Sequence, residues 1–546
     1  MSKKYRAAAS TGLVLAIYGS VALAQTTPGA VGDSVKPSPQ VPEASAPLIQ
    51  QPARRPQKQM SVSAKLVNIQ RFEFTGNTLF ANDQLRAITL EYEGQDLTLF
   101  DIFDAADKVA DFYISQGYTL ATVNVPPQKI ESGIVRMEVS EGTVGRVTVE
   151  GAKRYKSESI ASYLDGVKPG NVYRGATLTE GLNVLNELPG LRTRAVLRPS
   201  GAPGVNDVSV IATEDPYDLF FGVDNHGRES IGEIRFSAGG ALNNPLRIGD
   251  QLQLMGLVSE DALLKYGFIS YSVPINHLGT RLSASYGHAD FELDDKIVDG
   301  VKGENKTARI ELSHSFIRTQ SDRLQMTVGG SNTRANADLF GLRLPGDTDL
   351  TLFELGGNLL HIWNNSAATL ITLGASSNFA DSNPNQLAKP KGKDRQLFRG
   401  EAEILHLQPL PAKLQLLLRG AGTYSPEALP DTQQYSLGGP SSVRGYPSSE
   451  VRGDAGIFGS ITLRRPFQIG PVLAMASIFG DAGRVERYDL PAGFDDNDAL
   501  SSVGAGLDFR YRMISAKFEG SAPLDDRPVS DGDDDFRFFA SAAVSF

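Results

Sequence analysis

The chain contains no cysteine in 546 residues. Disulfides are therefore excluded, and with them thiolate metal sites and cysteine nucleophiles. Charge is sparse, at 21% of residues, and the balance is acidic, at −10. A nucleic-acid binder would carry a basic patch, so no nucleic-acid partner is expected. Beyond the N-terminal stretch there is no apolar run long enough for a membrane-spanning helix. There is no Gly-x-Ser-x-Gly elbow, no His-Glu-x-x-His pair and no P-loop, so no enzyme is expected. The histidines at 226, 277, 288, 314, 361 and 406 are scattered without ligand spacing. The acidic runs Asp495–Asp498 and Asp531–Asp535 do not match a calcium loop. They read as solvated loop acids, as does Asp525-Asp526, and no metal or cofactor is expected.

Glycine and proline are plentiful instead, at 55 and 30 residues. That composition suits many turns between short strands. Lys3, Lys4 and Arg6 precede an apolar stretch, Ala7 to Leu23, that ends in the small-x-small site Ala22-Leu23-Ala24. Residues 1–24 read as a secretory signal peptide. Residues 25–63 carry seven prolines, from Pro28 to Pro56, and little apolar periodicity. They read as an extended linker, with room for a short helix near its start.

From Ala64 to Glu214 the texture is mixed. Leu66–Phe74 alternates as a strand and turns at Thr75-Gly-Asn77. Phe100 to Gly117 has helical spacing (Phe103, Ala106, Val109, Ala110, Tyr113), with Gly117 placed as a C-cap. Strands are predicted at 118–125 and 133–139. The pattern then recurs: a strand at 145–150, Gly151 in the place of Gly76, a helix at 178–188, and strands at 192–198 and 207–212. Two tandem β-α-α-β-β modules of about 75 residues fit, at 64–142 and 143–214.

Residues 215–546 show period-two alternation throughout. Leu507, Phe509, Tyr511 and Met513 alternate with Asp508, Arg510 and Arg512. Phe536, Phe538, Ala540, Ala542, Val544 and Phe546 form one face of the last run. An apolar face opposed by charge suits a strand with lipid outside and water inside. Sixteen such runs can be counted, starting at 218–225 and ending at 535–546. An even number of antiparallel strands closes a barrel with no unpaired edge in lipid. The longest connection, 424–453, holds the glycine-rich stretch Leu437-Gly-Gly-Pro-Ser-Ser-Val-Arg-Gly-Tyr446.

Several motifs resemble a known family. Val443-Arg444-Gly445-Tyr446 is similar to the loop-six motif of POTRA-bearing outer-membrane barrels. Phe479-Gly-Asp481 resembles that superfamily's Phe-x-Asp strand motif, and Gly504-Ala-Gly506 its Gly-x-Gly. With the signal peptide, linker, two modules and sixteen runs, the chain resembles the TpsB transporters of two-partner secretion, the haemolysin and filamentous-haemagglutinin secretion/activation proteins.

The resemblance implies a sixteen-stranded outer-membrane barrel preceded by two α+β POTRA domains in the periplasm. It also implies that the loop 424–453 folds inward. Arg444, whose rigid fork of donors suits a carboxylate, would latch the loop to Asp481 on the wall. Gly445 would permit close approach, and Gly504 and Gly506 would clear wall space for the loop tip. Phe546 would signal to the barrel assembly machinery. The implied partners are a large secreted TpsA-type exoprotein, outer-membrane lipid and lipopolysaccharide, for a barrel expected to be monomeric. Two rival readings stay open: an insertase for other barrels, and a gated porin for small solutes.

Overall fold

The computed structural model describes residues 27–28, 30–31, 49–51, 66–294, 300–343, 347–378, 396–488, 496–525, 530–531 and 535–546. The expected signal peptide and most of the linker lie outside these. The chain forms two compact units.

The first unit holds two modules with separate cores. In the first, Arg71–Thr75 runs parallel to the central strand Ile134–Ser140, and Thr122–Asn124 flanks that strand antiparallel. Helices α1 (Asn82–Thr89) and α2 (Leu99–Ser115) supply the rest of the core. Helix α2 begins in a capping box: Asp101 N–H donates to Thr98 Oγ, and the Asp101 carboxylate accepts from Thr98 N–H. Ile102, Ala105, Ala106, Val109, Ala110 and Tyr113 recur at three- and four-residue steps and are buried against Phe72, Phe74, Val135 and Met137. The strand expected at 118–125 shrinks to Thr122–Asn124, because Tyr118 N–H still bonds to Tyr113 O and Ala121 N–H to Tyr118 O. Those bonds keep 118–121 in a turn.

The second module repeats the order. Thr143–Glu150 is parallel to Val205–Glu214, with Leu191–Pro199 antiparallel to the latter. Its helices are α3 (Ser157–Ser162) and α4 (Gly175–Asn186). Linker residues Ile49–Gln50 add a fourth strand, parallel to Leu191–Pro199.

Two devices recur in the same places. Gly76 and Gly151 have φ of +82° and +83°. A Cβ there would lie 2.3 Å from Val139 O and 2.4 Å from Ala212 O, respectively. Only glycine fits so close a carbonyl at that dihedral. Glu141 then accepts from the N–H groups of Thr78 and Leu79 at 2.7 and 2.8 Å. Glu214 does the same for Lys153 and Tyr155, at 2.9 and 3.1 Å. In each module a carboxylate at the end of the third strand ties down the turn after the first.

The second unit is a closed barrel of sixteen antiparallel strands. The first eight are β1 (Tyr217–Asp224), β2 (Arg235–Asn243), β3 (Gln251–Ser259), β4 (Leu264–Pro274), β5 (Arg281–Glu292), β6 (Val301–Arg318), β7 (Asp322–Leu339) and β8 (Thr348–Ile362). The rest are β9 (Ala368–Asn378), β10 (Phe398–Pro409), β11 (Gln415–Tyr424), β12 (Ala455–Ile469), β13 (Val472–Glu486), β14 (Asn497–Tyr511), β15 (Ile514–Pro523) and β16 (Arg537–Ser545). Each overlaps one of the sixteen runs read from alternation. Strands β6 and β7 extend beyond their runs as one long hairpin, which Leu342–Arg343 lengthens further.

Closure is made by β1 against β16, through five residue pairs from Phe220–Ser545 to Asp224–Ser541. Outward positions such as Phe221, Phe236, Leu254, Ile269, Ile461, Ile478 and Phe538 are exposed apolar side chains, as a lipid-facing belt requires. Inward positions carry opposed charges, among them Arg309–Glu354 at 3.0 Å and Arg419–Glu403 at 2.6 Å.

The start of the linker sits among inward-facing residues. Ala30 N–H donates to Thr27 Oγ at 3.3 Å and Val31 N–H to Thr27 O at 3.0 Å, forming a helical turn. Val31 is buried with Leu257, Phe291 and Leu264, and Asn305 Nδ2 donates to Pro28 O at 3.0 Å. The room left for a short helix is thus used inside the barrel wall.

Candidate functional site: the inward loop and the wall that holds it

The connection between β11 and β12 turns into the barrel. Its stem is a ribbon of Tyr435–Leu437 paired with Val451–Gly453. Gly438 and Gly439 open the tip at φ of +106° and +94°. A Cβ on Gly438 would lie 2.3 Å from Pro447 O, so the two limbs touch there. Leu437, Val443, Tyr446 and Val451 are buried against the wall residues Phe458, Val485 and Leu500. This apolar packing offsets the conformational entropy lost when the loop is ordered in the lumen.

Strand register builds the wall. Thr462, Phe479, Gly504 and Ser521 are successive partners across β12, β13, β14 and β15, and Ser460, Asp481 and Ser502 form the row beside them. Arg444 lies over both rows and is 9% exposed. Its Nε donates to Asp481 Oδ2 and its Nη2 to Asp481 Oδ1, both at 2.8 Å. Its Nη1 donates to Glu519 Oε1 at 2.9 Å, and Nη2 also reaches Ser460 Oγ at 3.2 Å. The Arg444 main-chain N–H donates to Asp481 Oδ2 at 3.2 Å, and Ser521 Oγ donates to Arg444 O. The guanidinium also faces the Phe479 ring, 3.3 Å from its centroid. Such a cation–π contact gains strength when desolvated.

The glycines have a different neighbour from the one expected. Phe479 Cζ would lie 2.4 Å from a Cβ on Gly504, and Ser477 Oγ and Glu519 Cγ would crowd one on Gly506, at 2.8 and 3.2 Å. These positions clear space for the Phe479 ring and the Glu519 stem, which in turn support Arg444. The direct approach of tip to wall occurs at Gly445, where a Cβ would lie 2.7 Å from Ser502 Cβ and 3.1 Å from Pro523 N.

The structure thus gathers Val443, Arg444, Gly445 and Tyr446 on the tip, and Phe479, Asp481, Gly504 and Gly506 on the wall. Phe546 lies apart, at the closing seam. Its N–H donates to Leu219 O at 2.9 Å, and its ring meets Phe221 edge-on at 6.4 Å.

Sequence reasoning missed Glu519, the second carboxylate on Arg444. Alternation in β15 marks it as inward, opposite the outward Phe518, but no motif singled it out. Asp525 also departs from its reading as a solvated loop acid. It accepts from Tyr446 Oη at 3.1 Å and from Ser501 N–H at 2.6 Å. Asp498 and Asp531 are likewise engaged, by Arg487 and Arg537 respectively. Each lies beside a strand end whose arginine is within reach, so local pairing replaces solvation.

Residues 207–509, more than half of the chain, match the family model described as haemolysin secretion/activation protein ShlB/FhaC/HecB. The chain belongs to the TpsB family of two-partner secretion transporters. Residues 67–142 match the ShlB-type POTRA domain. Relatives include the heme/hemopexin transporter protein HuxB of Haemophilus influenzae strain 86-028NP, 24% identical over 99% of this chain and 98% of that protein. The outer membrane transporter CdiB of Escherichia coli strain 536 is 23% identical over 88% of this chain and 83% of its own length. The solved CdiB from Escherichia coli superposes with a TM-score of 0.71, at 21% identity, covering 90% of this chain and 93% of that one. BamA from Haemophilus ducreyi lacking POTRA domains 1–3 gives 0.55, at 16% identity, covering 88% of this chain and all of that one. As a TpsB transporter, this protein is an outer-membrane barrel with periplasmic POTRA domains that carries an exoprotein partner to the cell surface.

Proposed function

We propose that the loop held by Arg444 is the gate of this transporter. A large TpsA-type exoprotein, presented unfolded by the POTRA modules, passes through the lumen only when that loop shifts. The observation that carries this reading is the burial of one arginine between two wall carboxylates at the loop tip. Such a cluster fixes the loop at a single point, because removing one partner strands the others without solvent. With the loop in place, one lumenal cavity of about 840 Å³ is lined by residues such as Gln253, Arg309, Glu354 and Arg399.

The modules receive the exoprotein by strand addition at a sheet edge. In the first module Arg71–Thr75 and Thr122–Asn124 are the edge strands of the sheet, which favours this. In the second, Ile49–Gln50 already covers the edge of Leu191–Pro199. A client strand entering there must displace the linker. Phe546, exposed on the lipid face, serves as a recognition residue for barrel assembly, and the apolar belt seats a single barrel among lipid and lipopolysaccharide.

The test is secretion of the cognate exoprotein by cells carrying Arg444→Ala. The reading requires a sharp loss of secretion with the barrel still assembled. Normal secretion would end it.

A further inference from the structure

The inward loop is held at a second place, away from Arg444. Arg228, in the connection between β1 and β2, is 7% exposed, and Glu450, on the loop's return limb, has a wholly buried side chain. Arg228 Nη1 donates to Ser448 O at 2.7 Å and Ser449 O at 3.1 Å. Its Nη2 donates to Ser530 Oγ at 2.9 Å and lies 3.7 Å from Glu450 Oε2. Ser530 belongs to the connection between β15 and β16, and it gives Glu450 both its N–H, at 3.0 Å, and its hydroxyl. Ser448 Oγ completes the node by donating to His226 O at 2.9 Å. Ser449 holds a left-handed φ of +56° between them. A non-glycine residue keeps that conformation only where its surroundings enforce it.

The three contributors come from three different connections, and two of those flank the β1–β16 seam. That seam has five register pairs, extended at one end by Leu219 and Phe546, which exchange main-chain hydrogen bonds at 3.3 and 2.9 Å, against eight register pairs between β1 and β2 and eight between β15 and β16. Beyond its last pair Asn225 continues the ladder, its main-chain N–H donating to Ala540 O at 3.2 Å while its side chain accepts from Ala540 N–H at 2.7 Å and donates to Phe538 O at 2.8 Å. We propose that Arg228, Glu450 and Ser530 form a second clamp that ties withdrawal of the inward loop to parting of the β1–β16 seam at its extracellular end.

The coupling follows from the partners. If the seam parts, Arg228 moves with β1 and Ser530 with β16, and Glu450 loses one of them. If the loop withdraws, Glu450 and the two serine carbonyls leave, and the Arg228 guanidinium is stranded in a buried site. Neither event is free of the other, because a buried charge without its partner is costly. The proposal rests on the reading of the loop as the gate, and it assigns Arg228 and Glu450 as positioning residues of that gate.

The test uses the full-length protein in planar bilayers, with barrel assembly checked by heat-modifiable gel mobility. Three variants are compared with wild type: Arg444→Ala, Glu450→Gln and the milder Ser530→Ala. Glu450→Gln is expected to raise the open fraction by about tenfold, the scale of one lost charge-assisted hydrogen bond, with a smaller rise for Ser530→Ala. A second Glu450→Gln protein carries Gly222→Cys and Ala543→Cys, which face each other across the seam. Oxidation should return it to wild-type silence, and reduction should release it. If Arg444→Ala opens the pore but Glu450→Gln and Ser530→Ala do not, the clamp is wrong and the gate stands. If Glu450→Gln opens the pore whether or not the seam is oxidised, the coupling to the seam is wrong. If no variant changes conductance, the gate reading fails and the clamp with it.

Discussion

The ring of Phe479 lies between Gly504 and Arg444, touching the space where a Gly504 side chain would stand and facing the guanidinium at 3.3 Å. The Phe-x-Asp and Gly-x-Gly motifs are therefore one device. Strand pairing sets Phe479 beside Gly504, and the ring crosses the missing side chain. Gly504→Ala should lift the ring and loosen Arg444, destabilising the closed state by about 1–3 kcal/mol through overpacking. Bilayer recordings should then show more frequent openings, since the added Cβ would meet both the Phe479 ring and the Gly520 carbonyl, each at 2.4 Å.

The two carboxylates on Arg444 are not equivalent. Asp481 accepts from Nε, Nη2 and the main-chain N–H, while Glu519 accepts from Nη1 and also pairs with Lys517 at 2.8 Å. Asp481→Asn should therefore impair secretion more than Glu519→Gln. Breaking a buried pair costs about 3–5 kcal/mol, and Glu519 has a second cation to share. Arg444→Lys should fall between wild type and Arg444→Ala, because one ammonium cannot span both carboxylates as the guanidinium fork does. Exoprotein in the medium, normalised to assembled barrel, gives the order.

The first module carries a pH dependence of its own. Burial pushes the Glu141 carboxyl up, but hydrogen bonds from Thr78 and Leu79 outweigh it and hold it below the ordinary 4.5. A depressed carboxylate contributes stability that is present above the ordinary value and lost as the pH falls through the folded one. Module stability should therefore be level near neutrality and decline below about pH 4.5. Glu141→Gln should lower the neutral plateau and flatten the acid decline. Urea unfolding followed by the helical circular dichroism signal measures this, since α1 to α4 lie in the modules.

The recurrent glycines give a paired prediction. Gly76→Ala and Gly151→Ala each set a Cβ against a carbonyl oxygen at left-handed φ. Each should cost about 1–3 kcal/mol from the dihedral alone, plus the clash. The same urea titration should show similar losses for the two variants, one in each module.

Much of this arrangement is legible in the residues, and the reasons differ by element. The strands of the barrel follow from alternation, because lipid on one side and water on the other force a period of two. The module repeat is visible through Gly76 and Gly151, whose dihedrals admit no other residue cheaply. Arg444 and Asp481 come together through motif resemblance, which no composition argument supplies. The contacts of Glu519, Asp525, Arg228 and Glu450 with the inward loop and its clamp are hidden because they join residues 75 or more positions apart, through strand register and loop folding alone. The neighbour that fills the space over Gly504 is not legible, because sequence cannot tell which group crosses a missing side chain.

The central claim is that the loop at 425–454 gates the lumen through Arg444. Single-channel recording of full-length protein carrying Arg444→Ala, set beside exoprotein secretion by the same variant in cells, addresses it most directly. The account predicts an assembled barrel with larger, longer openings than wild type and secretion reduced to a small fraction. An assembled barrel with wild-type conductance and wild-type secretion would contradict it.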